Sequence, residues 1–185
     1  MNPESAKKIY DECSQKLQTK EYSVRNLLRK MNVKIVCTTD DPTDTLGHHQ
    51  KIKDDGFEIK VLPAFRPDKA MNADDSKTFN AYIGKLESVS GIAVTSYQTY
   101  LEALKQRHDF FAMMGCSLSD HGLDYMYAED YSDEEIENIF NKIRGGNELS
   151  AIENLKFKSC MLHLFAVWDW EKGWVQQYHI GAFRN

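Results

Sequence analysis

Four short strand-like runs, each ending in a cluster of polar residues, constrain this chain's fold more than any other feature. They are Val33–Cys37 into Thr38-Thr39-Asp40-Asp41, and Ile59–Pro63 into Arg66-Pro67-Asp68. The third is Cys116–Leu118 into Ser119-Asp120-His121-Gly122, and the fourth is Trp174–Tyr178 into His179, Arg184 and Asn185. Helical sequence separates them. Strands alternating with helices imply right-handed crossovers and an α/β fold with a parallel sheet. In such sheets the chemistry gathers at the carboxyl ends of the strands, whether the sheet is open or closed into a barrel. Asp, His and Arg recur at that position.

Composition narrows the partners. A chain of 185 residues holds one domain with a real core, or a large piece of a bigger one. With 42% hydrophobic and 28% charged residues it has the make-up of a globular protein. A net charge of −5 argues against nucleic acid or an anionic membrane as partner. No apolar run approaches the roughly 20 residues that cross a bilayer, and the N-terminus carries no signal-peptide pattern. Cys13, Cys37, Cys116 and Cys160 form no CxxC pair, which suits a reducing cytoplasm with buried free thiols.

Capping signals place the helices. Asn2-Pro3 offers an N-cap followed by proline, with Ile9, Cys13 and Leu17 on one face. Ser23 can cap a second helix, and Asp41-Pro42 repeats the cap-plus-proline device after the first strand, with Gly56 closing that helix. Further helices are expected from about Asp75 to Val89, closed by Gly91, and from about Ser96 to Met114, closed by Gly115. Ser132 with Glu135, and Ser150 with Glu153, are capping-box patterns that fill Ser132 to about Trp170 with two helices, more than one crossover needs.

The strand ends carry the candidate chemistry. Asp40 and Asp41 could bind sugar hydroxyls or assist proton transfer; equally, Asp41 could cap a helix while Asp40 bonds loop amides. Arg66 could hold a carboxylate with its planar fork, or pair with Asp68. His121, beside Asp120, could be a base, a metal ligand or a structural partner. His179 precedes Ile180-Gly181, which leaves room for a ligand or metal. The other histidines point elsewhere. Adjacent helical residues diverge by about 100°, so His48 and His49 cannot chelate together, and a solvated face suits His49. His163 reads as a core residue and His108 as a surface one. Trp168, Trp170 and Trp174 read as packing groups. No phosphate-loop, zincin or serine-hydrolase motif occurs.

Together these segments resemble the uronate (glucuronate) isomerases of the amidohydrolase superfamily. Val33 to Thr45 is similar to that family's VCTTDDPxDS segment, and Phe65 to Lys69 contains its RPDK. Gly115 to Gly122 resembles GCRxSDHG, and His179 to Asn185 resembles HIGAxRN. The four motifs stand in order over nearly the whole chain. One departure is Gly47-His48-His49, where the family commonly reads Glu-Tyr-His, which puts any role of that tyrosine in doubt.

The resemblance implies a partial (β/α)8 barrel with a helical insertion. Residues 1–185 would be a single segment of it, cut at both ends and holding barrel strands 2–5. It implies an enzyme that interconverts aldo- and keto-hexuronic acids, with a hexuronic acid as substrate. Arg66 would hold the substrate carboxylate, and Asp40, His121 and Arg184 would line the pocket. His179 would lie beside the reacting carbons as catalytic residue, or beside a divalent metal such as zinc. The family's remaining metal ligands, a His-x-His pair and an Asp, fall outside this sequence, so the chain alone is expected to be inactive and to bind no metal tightly. Other readings stay open: a sugar-acid-binding module without turnover, a structural piece forming homo-oligomers through exposed strand edges, or another metal-dependent enzyme of the superfamily.

Overall fold

A computed structural model describes residues 2–181. The four runs form parallel strands in chain order. β1 (Ile35–Cys37) pairs with β2 (Lys60–Leu62), and β3 (Leu118–Leu123) pairs with β4 (Val175–Ile180), both in parallel. The expected single sheet is interrupted: two two-stranded sheets are spliced through Phe65, which bridges in parallel to Asp40 on one side and to Ser119 on the other. The Phe65 amide donates to the Leu118 carbonyl, and the Asp120 amide donates to the Phe65 carbonyl. Backbone bonds between the first two segments run on past Pro63: the Thr38 amide donates to the Leu62 carbonyl, Ala64 to Thr38, Asp40 to Ala64 and Arg66 to Asp40.

Eight α-helices, among the described residues, fill the intervals. They are α1 (Pro3–Leu17), α2 (Val24–Lys30), α3 (Gly47–Asp54), α4 (Asp68–Met71), α5 (Ser76–Ser90), α6 (Tyr97–Met113), α7 (Asp133–Arg144) and α8 (Ala151–Lys172). Side-chain caps fix many of the starts. Asn2 with Ser5, Ser132 with Glu135 and Ser150 with Glu153 close capping boxes, and Asp75 caps α5. Gly91 ends α5 at φ 71°, in the left-handed region where a side chain is strained.

Three local expectations need correction. Asp41 caps no helix; its carboxylate takes the Thr43 amide (2.9 Å) and hydroxyl (2.7 Å), a turn that the short Asp side chain closes on its own backbone. α3 starts later, at Gly47, after left-handed Leu46. Ser23 precedes α2 but makes no side-chain cap bond. α1 buries nothing, so Ile9, Cys13 and Leu17 are exposed.

The core lies among α4 to α8 and the underside of β3. Phe79, Tyr100, Phe140 and Phe157 pack edge-on or stacked between α5, α6, α7 and α8, and the Tyr100 hydroxyl donates to the Ala70 carbonyl of α4. Phe65 meets the rings of His108, Phe111, Phe165 and Trp174 at 5.1–6.4 Å between centroids. The splice between the sheets is therefore held by burial as well as by backbone bonds. Trp168 packs in this core as expected, whereas Trp170 is exposed. Cys116 and Cys160 are buried, but Cys13 and Cys37 are exposed. No helix among the described residues is long and apolar enough to cross a membrane.

Candidate functional site

The carboxyl edge of the strands gathers the expected residues, with one change of place. The Ser119–Gly122 and His179 positions belong to β3 and β4 themselves, not to turns after them. Cross-strand pairing aligns Asp120 with Gln177, His121 with Tyr178 and Gly122 with His179. Alternation along the strand then sends Asp120 and His121 to opposite faces. Arg66 stands at the same edge, because its amide donates to the Asp40 carbonyl at 2.9 Å.

Asp120 is the centre of the arrangement. Its Oδ2 lies 2.6 Å from Arg66 Nη2, and its Oδ1 lies 2.8 Å from His179 Nε2. Thr39 Oγ1 donates to Oδ2 at a long 3.4 Å. The Arg66 contact is a close ion pair whose N–H points off line, since neither Nη2 nor Nε completes a directed hydrogen bond among the described residues. Arg66 Nε also lies 3.5 Å from Asp68 Oδ2, and that same oxygen accepts the Gly122 amide at 2.9 Å. Asp120 is buried, Arg66 is half-buried and His179 is 36% exposed, so the imidazole is the member a ligand can reach. His179 Nε2 also sits 2.9 Å from the Gln177 amide nitrogen.

Asp40 forms a second cluster. The Thr38 hydroxyl donates to Asp40 Oδ2 at 2.6 Å and meets His49 Nε2 at 2.7 Å, while His49 and Asp40 stand 3.7 Å apart. His49 is buried, against the expectation of a solvated face; its neighbour His48 is exposed, as the 100° step of a helix requires. His121 is fully buried and stacks on Tyr178 at 5.2 Å between ring centroids. Burial pushes its imidazole down to about 4, against the opposing pull of Asp169 and Asp120, so the ring is neutral near pH 7. His108 is also fully buried, held at 2.9 Å to Asp169, so the surface assignment fails. His163 is exposed, on the side of α8 away from Leu162 and Phe165. Arg184 lies outside the described residues.

The structure thus brings Arg66 and His179 together through an acid that was read only as a neighbour of His121. Asp120 pairs with residues far away in sequence, so only its place two residues from a strand register could have signalled it. Among the described residues no three His, Cys, Asp or Glu side chains converge to hold a metal ion. His179 and Asp120 turn toward each other, so these residues do not by themselves form a complete metal centre. What they present along one edge is a cation, an imidazole and several carboxylates.

The whole chain, residues 1–185, matches the sequence model of the glucuronate isomerase family. It is 55% identical over 185 residues to a uronate isomerase of Phocaeicola vulgatus, covering all of this chain and 40% of that protein. It is 43% identical over 186 residues to a uronate isomerase of Caldanaerobacter subterraneus, again all of this chain and 40% of that one. The crystal structure of a uronate isomerase from Thermotoga maritima superposes with a TM-score of 0.89 at 34% identity, covering all of this chain and 40% of the other. A glucuronate isomerase from Caulobacter crescentus gives 0.84 at 31% identity, covering 95% and 36%. The chain spans about 40% of the length of these relatives.

Proposed function

Because this chain belongs to the glucuronate isomerase family, we propose that the complete protein interconverts aldo- and keto-hexuronic acids. The described strands supply part of the mouth of a (β/α)8 barrel, four neighbours in parallel order with their polar ends on one side. The observation that carries the reading is the line Arg66–Asp120–His179 at that edge. A uronic acid differs from a neutral sugar by its carboxylate, and a guanidinium is the side chain that matches a carboxylate with two parallel N–H bonds. Arg66 has five N–H donors, of which Asp120 and Asp68 face only two nitrogens. Nε and Nη2 are buried against those acids, so Nη1 is the nitrogen left to meet the substrate carboxylate, and the two acids hold the fork in place.

The reaction moves a proton between neighbouring carbons. Abstraction of the hydrogen alpha to the carbonyl gives an enediol, and reprotonation at the adjacent carbon gives the isomer, with no net gain or loss of atoms. His179, whose Nε2 stands 2.8 Å from the Asp120 carboxylate, is the group of this chain placed to hold or pass such a proton, or to hydrogen-bond the reacting oxygens. Asp40, His121 and Arg184 orient the remaining hydroxyls. A divalent ion such as zinc, supplied with ligands from the rest of the protein, would polarise the carbonyl, and His179 is the residue here nearest that role. The cytoplasm is the fitting compartment for a sugar-acid catabolic enzyme with free thiols.

The test is turnover by the complete protein. Incubation with glucuronate and, separately, galacturonate, followed by chromatographic detection of the keto acid, should show conversion above a no-protein blank. Saturable uronate binding without conversion would favour a binding module instead. β1 and β4 each have one edge without a strand partner among the described residues, so concentration-dependent dimers without uronate binding would favour the structural reading.

A further inference from the structure

A groove apart from the Arg66–Asp120–His179 line runs between α3 and the end of α6, along β2. Ile52 of α3, Phe57, Val61 and Leu62 line it, with Met113 and Met114 where α6 closes. Its volume is about 430 Å3, within the roughly 300–1,000 Å3 of small-molecule sites. Gly115 completes the wall at φ 92°, where a side chain is strained, and a Cβ there would stand 3.2 Å from Leu62 Cδ2. The strand beneath has β1 on one side and the Phe65–Ser119 bridge on the other, so described elements flank the groove on both sides.

Charge gives the groove a sign. Lys53 and Lys60 line it; both are exposed, and neither has an ion-pair partner among the described residues. No Asp or Glu is among the described residues that line it. An apolar body carrying one negative group matches this lining. The body leaves water against the apolar side chains, and the charged end stays in reach of the ammonium groups.

His49 connects the groove to the strand ends. It lines the groove, its Nε2 meets the Thr38 hydroxyl at 2.7 Å, and that hydroxyl donates to Asp40 Oδ2 at 2.6 Å. Its Nδ1 has no hydrogen-bond partner among the described residues, so one hydrogen bond and the packing of the ring decide where the ring stands. Whatever fills the groove becomes part of that packing.

We propose that this groove binds a small amphiphilic anion, an alkyl or aryl chain ending in one carboxylate, and that His49 passes its occupancy through Thr38 to Asp40. The binding site stands on the groove alone; its effect at Asp40 on substrate rests on the uronate reading above. A ligand shifts the strand ends only as far as it favours one position of His49, and the coupling is equal in both directions.

The test uses the complete protein with 13C-methyl-labelled methionine, octanoate as the probe, and Met113→Leu and Met114→Leu to assign the two methyl signals. Octanoate should shift both signals saturably. Octan-1-ol, the same chain without the charge, should bind about two- to fivefold more weakly, the worth of an exposed ion pair, and Lys53→Met should weaken octanoate by a similar factor. Ile52→Trp fills the groove and should abolish the shifts. No saturable shift in the wild type overturns the site without any variant having to fold, and so does octan-1-ol binding as tightly as octanoate. Shifts that persist in folded Ile52→Trp overturn it too. Saturating glucuronate should change the octanoate Kd about fivefold or more, the low end of typical coupling between sites. His49→Phe keeps a ring in the wall without the Nε2 bond, so it should retain octanoate binding and lose that change. An unchanged Kd in an enzyme that converts uronate overturns the coupling. Saturable octanoate binding in a protein that neither binds nor converts uronate would instead contradict the isomerase reading and leave the groove standing.

Discussion

Lowering the pH should destabilise this chain through His121, by an amount that follows from its burial. The unfolded imidazole takes a proton near 6.5, whereas the folded one resists until about 4. A histidine whose folded pKa is depressed contributes stability that is complete above the unfolded value and is lost as pH falls toward the folded one. Between these values each pH unit removes about 1.4 kcal/mol. From about pH 7 to about pH 5 the loss assigned to His121 is therefore about 2 kcal/mol, a large share of the roughly 5–15 kcal/mol of a typical domain. Other groups titrate in the same window, so the measurement is a difference. Urea unfolding of wild type and His121→Asn at both pH values should show the wild type losing about 2 kcal/mol more than the variant on acidification. Equal losses would mean that the folded protein accepts a proton on His121 easily, and the burial argument would fail.

Two further outcomes follow from the fold. Phe65→Ala removes the ring that packs on His108, Phe111, Phe165 and Trp174 at the splice between the sheets. It should cost about 3–5 kcal/mol in denaturant unfolding, and a loss under about 1 kcal/mol would show that the splice is not held by this packing. Ser132→Ala breaks the capping box of α7 and should cost about 1 kcal/mol by the same assay, with no change in uronate turnover.

Much of the scaffold was legible because its signals are local. A cap, a proline or a glycine acts within one turn of its own residue, so Ser132, Ser150, Asp75 and Gly91 ended helices where their patterns indicated. Strand ends were less legible. Ser119, Asp120 and His121 look like a turn because they are polar, yet β3 runs through them, since Phe65 on one side and β4 on the other complete their backbone bonds. Side-chain partnerships over long sequence distances were not legible at all. His108 sits between Arg107 and Asp109 and looks like surface, but Asp169 lies opposite it and makes burial affordable. Arg107 is likewise buried, because the Pro42 and Asp44 carbonyls accept its N–H groups at 2.8 Å. Asp120 escaped notice for the same reason: its two partners come from β4 and from the segment after β2, and only the folded edge puts them within 3 Å.

The central claim is that Arg66 grips the carboxylate of a hexuronic acid, and replacing it with methionine in the complete enzyme tests that most directly. The change keeps most of the apolar stem and removes a charge-assisted contact of roughly 1.5–3 kcal/mol, so kcat/KM for uronate should fall about tenfold to over a hundredfold. Lysine should restore only part of the loss, because a point charge cannot reproduce the fork. Since Asp120 then loses its ion pair, some stability should fall as well, and the assay must be run where the variant stays folded. Near-normal kcat/KM in a folded Arg66→Met enzyme would contradict the account and leave Arg66 as a structural partner of Asp120 and Asp68.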